Sequence, residues 1–177
     1  MTVDVTENMN HDERTIFEQY AGSFPFPVVD FANALGLKVF VDKMPSHQSG
    51  AISKNDGDYV ICLNEDHPTS RMRFTLAHEL SHYFNDRSYL EEKRKIVDSS
   101  TQSQRKWLFR QNGSQDDLKL REMDVKANQF AAELLMPQRQ FIEVWHEKIS
   151  PRDVASFFNV SLDAVKVRAA ILLGEIV

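Results

Sequence analysis

Phe74-Thr-Leu-Ala-His-Glu-Leu-Ser-His-Tyr-Phe84 is an apolar run that carries His78, Glu79 and His82 in an H-E-x-x-H pattern. On an α-helix, residues four apart lie on nearly one face, so both imidazoles can reach a single metal ion. Glu79, one position on, projects beside such an ion and can take a proton from a bound water, the arrangement of a zinc peptidase. The run is apolar on most sides, so its helix is expected in the middle of the fold. It should begin with Thr69 or Ser70 as cap and reach about Asn85. Burying two imidazoles and a carboxylate is costly unless they are paired or metal-bound, which favours a ligand role for the two histidines.

A third ligand is sought on the helix expected over 117–136, which offers Glu122, Asp124 and Glu133. Ala127, Asn128, Ala131 and Leu135 follow Asp124 at helical spacing and share its face, a small and apolar surface suited to close approach of another helix. Glu122 and Glu133 lie roughly 160–180° away around the helix. Asp124 is therefore the acid expected at the metal. Two histidines and one carboxylate form a catalytic set, which leaves a position open for water. Manganese or iron could occupy such a set as well as zinc.

Working outward, Asn55-Asp-Gly57 signals a hairpin between strands at Ala51–Ser53 and Tyr59–Leu63. A further strand is expected at Leu37–Val41, after a helix over Val28–Leu35 that stops at Gly36. Tyr59–Leu63 is nearly all apolar and is expected to be covered on both faces. A short helix is expected at Glu13–Tyr20. Residues 87–98 read as a charged, exposed helix, and 99–104 as polar and low in complexity. The span 86–116 is treated as a polar insertion or lid, with Trp107 as a residue that could grip substrate. Ser150-Pro-Arg-Asp153 starts one helix, Asn159-Val-Ser161 makes a turn, and Leu162–Leu173 forms the last. That final helix has only Lys166 and Arg168 as basic residues, too few polar side chains to read base edges, so direct nucleic-acid binding is not expected.

The chain has 177 residues and a formal net charge of −5, which argues against a nucleic-acid-coating role. Its single cysteine, Cys62, excludes an intrachain disulfide framework and reads as a buried small hydrophobe. The N-terminus shows no basic segment followed by an apolar one, and no stretch approaches the roughly 20 apolar residues of a membrane span, so the expected location is the cytoplasm.

Arg71–His82 together with Asp124–Pro137 resembles the ImmA/IrrE family of metallopeptidases, and Ser49–Ile52, Asn64 and Phe158–Ser161 also fit. The resemblance implies an α+β fold: a mainly helical zincin-like metallopeptidase core, a small three-stranded antiparallel sheet and a C-terminal helix-turn-helix-like helical pair. Residues 1–147 would form the metallopeptidase-like domain, and 148–177 a helical subdomain packed on it. By position, His78 and His82 match the family's histidine ligands, Glu79 its catalytic glutamate and Asp124 its acidic ligand, usually a glutamate. The implied activity is zinc-dependent endoproteolysis of a regulatory protein, a helix-turn-helix repressor encoded nearby, in transcription regulation and stress response. The alternative is a non-proteolytic binding module of a toxin–antitoxin or phage-regulatory pair that keeps the metal fold.

Overall fold

Asp56 and Gly57 both take positive φ, 50° and 94°, and so close the tight hairpin that Asn55-Asp-Gly requires. The hairpin joins β2 (Gln48–Asn55) to β3 (Asp58–Asn64) in an antiparallel pair. In the computed structural model, which describes residues 3–93, 95–99, 115–148 and 150–174, this hairpin is the centre of a sheet. The elements before it are α1 (His11–Tyr20), α2 (Val28–Ala34) and β1 (Lys38–Asp42). After it come α3 (Thr69–Asn85), α4 (Arg87–Lys93), β4 (Lys95–Ser99), α5 (Gln115–Leu135), α6 (Gln138–Glu147), α7 (Pro151–Phe158) and α8 (Leu162–Leu173). The fold is mixed α+β and mostly helical.

The sheet is not the three-stranded antiparallel one expected. It has four strands in the order β1-β3-β2-β4, and β1 runs parallel to β3. The hairpin commits one edge of β3 to β2, leaving only the other edge for β1, which arrives in the parallel sense. The fourth strand, β4, lies inside the charged span read as helix; among the described residues of that span only 87–93 are helical. Lys95 and Asp98 masked a strand signal whose key residue is Ile96, buried opposite Ile52. Lysine on an edge strand is a common guard against unwanted pairing. Ile96, Ile52 and Ile61 are in cross-strand register and buried, the sheet's contribution to the core against α3. Cys62 points the other way and is only half-buried, so β3 is fully covered on one face.

α3 has ten consecutive buried residues, Thr75 to Phe84, and is the central helix. It starts at Pro68 without a side-chain cap, not at the Thr69 or Ser70 cap expected. One flank is closed by α1 and α2, through Phe17, Phe26, Phe31 and Phe84, whose rings meet edge-on, tilted or, for Phe31 and Phe84, stacked. α1 is fastened by Glu13. Its side chain closes a capping box with Asn10, accepts from the Tyr83 hydroxyl at 2.9 Å and pairs with Arg87 at 2.5 Å.

The other flank is closed by α7 and α8. Ser150 caps α7, Asn159 ends it in the left-handed conformation, and Ser161 caps α8. Two arginines fasten this pair. Arg73 of α3 donates to the Asn159 carbonyl at 3.1 Å and to the Phe26 carbonyl at 2.8 Å. Arg168 of α8 donates to the Met136 carbonyl at 3.2 Å and forms a buried ion pair with Glu133. Among the described residues no helix is long and apolar enough to cross a membrane.

Burial and the hydrogen bond to Glu13 push the Tyr83 hydroxyl up to about 12. The folded state thus holds this proton more tightly than the unfolded chain, whose tyrosine titrates near 10. The stabilisation is complete below about pH 10 and is lost as pH rises through about 12. Denaturant melts between these limits should show falling stability, and Tyr83→Phe should flatten that slope.

Candidate metal centre

His78 and His82 lie one turn apart on α3, 1% and 0% exposed. Their ring nitrogens are used in opposite directions. Nδ1 of His82 is 2.8 Å from a carboxylate oxygen of Asp86, the residue that ends α3. Nδ1 of His78 is 3.0 Å from the side-chain carbonyl oxygen of Asn128 on α5. Both partners accept, so each Nδ1 donates and each Nε2 presents a lone pair. The two Nε2 atoms face each other at 3.2 Å.

Two lone pairs at that distance repel unless a cation or proton lies between them. Nitrogens bound at about 2.0–2.1 Å to one tetrahedral zinc stand roughly 3.3–3.4 Å apart, close to what the fold already imposes. Asp124 supplies the third donor: Oδ1 lies 3.9 Å from His78 Nε2. One ligand atom from each of His78, His82 and Asp124 falls within 4.8 Å of the other two. The donor set therefore fits a divalent ion, with Asp124 part-exposed on the open side.

Glu79 is fully buried on the sheet side of the same turn. Gly50 of β2 makes room for it. A Cβ there would meet Thr75 Cγ2 at 2.5 Å, the Cys62 carbonyl at 3.1 Å and Glu79 Oε1 at 3.3 Å. The strand thus passes against α3 at glycine distance, next to the carboxylate. Arg71 braces the approach by donating to Ser49 Oγ at 3.2 Å.

The fold brings His78, His82 and Asp124 together, with Glu79 on the same turn of α3, and keeps Glu122 and Glu133 apart. Glu122 is exposed on α5, and Glu133 is taken up by Arg168 and by the backbone N–H of Gln138. Tyr83 turns toward Glu13, and Tyr59 packs edge-on against it. Trp107 lies outside the described residues. Three functional neighbours were not read from the sequence. Asp86 and Asn128 carry a detectable signal, since each follows a ligand candidate by four helical positions. Gly50 falls within Ser49–Ile52, which fits the family resemblance, but only the packing of β2 on α3 shows why a glycine is needed there.

Comparison with known proteins agrees with this geometry. A family model described as the IrrE N-terminal-like domain (Peptidase_M78) matches residues 32–170. No curated protein matches the chain significantly. Among solved structures, a Mycobacterium tuberculosis transcriptional regulator is similar in fold, with a TM-score of 0.58 at 13% identity. The match covers 90% of this chain and 45% of that protein, so the chain spans less than half the length of its structural relative.

Two outcomes follow. Gly50→Ala should destabilise the protein by about 1–3 kcal/mol, because Thr75 is stiff and the Cys62 carbonyl is backbone; thermal melts read this directly. Asp86→Ala and Asn128→Ala should each weaken zinc binding about 10–100-fold, measured by chelator competition, with little change in secondary structure.

Proposed function

The chain belongs to the IrrE N-terminal-like domain family, and from that premise we propose that it is a zinc-dependent endopeptidase that cleaves a regulatory protein at a specific site. The substrate we infer is a helix-turn-helix transcriptional repressor encoded nearby, met in the cytoplasm. The observation that carries the reading is the pair of Nε2 atoms 3.2 Å apart, each with its Nδ1 already committed, beside a buried carboxylate. A binding module would have no use for Glu79 at that place.

His78, His82 and Asp124 would hold the ion. When bound, zinc supplies Lewis-acid polarisation of the scissile carbonyl and acidifies a water. Glu79 takes the proton from the attacking water and returns it to the leaving amine, so its acid and base roles both fall on one carboxylate. Its burial keeps bulk water from competing for that proton. Asp86 and Asn128 hold the two rings in the tautomer that directs Nε2 inward.

The test is incubation of the chain with the neighbouring repressor, with and without chelator, read by mass spectrometry. Cleavage should require metal and should fall by at least about 10²-fold in Glu79→Gln, while zinc stoichiometry is kept. Undiminished cleavage by a folded, zinc-loaded Glu79→Gln protein would sink the reading.

A further inference from the structure

A groove of about 690 Å³ opens beside the metal centre, between the first turns of α3, the C-terminal half of α5 and one face of α8. Its walls include Phe74, Asn128, Ala132, Val167 and Ile171. Asn128 belongs to both places, since it also orients His78. On α3, Arg71, Phe74 and His78 recur at helical spacing, so the groove wall and the imidazole share one face. On α8, Val167 and Ile171 are 59% and 67% exposed, four positions apart, while Val165, Arg168 and Ala169 face the core. Val125, 56% exposed, extends the apolar surface along α5 at helical spacing from Asn128 and Gln129. At the rim the exposed amides of Asn128 and Gln129 can pair with a peptide backbone.

An aliphatic residue of the chain itself reaches this groove: Val3 is among its walls. The segment behind it is anchored by Asn8, which donates to Asn85 at 2.8 Å, and by Met9, buried in the core. Asn85 follows His78 by seven positions, two helical turns on the same face of α3. One end of the segment 3–8 is thus tied to the helix that carries the two histidines, and the other lines the groove. The groove is thus lined in part by an aliphatic residue of a chain segment, which favours a peptide as its ligand over a small molecule.

We propose that this groove is a subsite that receives an aliphatic side chain of an incoming polypeptide beside the metal centre, and that Val3 holds that place in the resting chain. That the incoming polypeptide is a substrate rests on the peptidase reading; that the groove captures it does not. Val3 then acts as a built-in competitor, and specificity for an aliphatic residue is set by Phe74, Val167 and Ile171.

The probe is a fluorescein-labelled peptide copying residues 1–10, titrated by anisotropy into the full chain carrying Glu79→Gln so that it is not consumed. Adding Val3→Asp should free the groove and tighten binding about tenfold, the gain expected if Val3 fills it about nine-tenths of the time. Adding Val167→Lys with Ile171→Lys, both at exposed positions, should abolish binding while circular dichroism stays unchanged. A probe with its own Val3 replaced by Asp should not bind. Binding that ignores both the arm and the groove substitutions, or no saturable binding to any variant, overturns the proposal. None of these readouts needs hydrolysis, so loss of the peptidase reading in the Glu79→Gln cleavage assay would leave the binding result standing.

Discussion

Two imidazole nitrogens buried 3.2 Å apart, both with lone pairs turned inward, are the constraint around which the rest of this fold makes sense. Nothing in a hydrophobic core favours that contact. It persists because Asp86 and Asn128 take the opposite nitrogens and leave no other orientation open. α3 must then be buried on nearly all sides, and the molecule provides a cover for each. The sheet lies on the Glu79 side, α5 on the Asn128 side, and the two terminal helical pairs close the flanks. The glycine in β2 and the small face of α5 serve one end, which is bringing backbone close to this helix.

The centre of the fold was legible in the sequence because its signals are local. H-E-x-x-H, the Asn-Asp-Gly turn, the Ser150 and Ser161 caps and the phase of Asp124 all act within a turn or two of chain. What escaped was long-range. β1 takes the outer edge of β3 and β4 that of β2, an allocation no window of sequence contains. β4 was hidden by charges that belong to an edge strand's defence, so composition pointed to a helix where only Ile96-Val97 announced the sheet. The orienting partners of the histidines fall between these cases. Asp86 and Asn128 stand at the right spacing, yet an acid at a helix end and an amide on an exposed helix face have ordinary uses, and only tertiary contact separates one from the other.

The two ends of the chain are attached by different physics. The C-terminal pair is held by arginines that donate to backbone carbonyls, and Arg168 also meets a buried carboxylate. Burial lowers the proton affinity of Arg73, yet its two carbonyl acceptors leave it well satisfied. These contacts fix direction more than they add stability, since buried ion pairs gain little over apolar packing. Their consequence is positional: α8 is set at a defined angle to α5, which makes the exposed valine and isoleucine a wall and not a stray patch.

The last turn of α3 joins matters that are far apart in sequence. Asp86 ends the helix and steadies His82; Asn85 receives Asn8; Arg87 donates to the Tyr83 carbonyl at 2.8 Å and pairs with Glu13. Helix ends are where native proteins open most readily, in fluctuations far smaller than global unfolding. Here such an opening would release the His82 imidazole of the candidate metal centre. Asn8 and Glu13 thus act as a clamp on local fraying, and the lifetime of the assembled centre is governed by residues that never touch it.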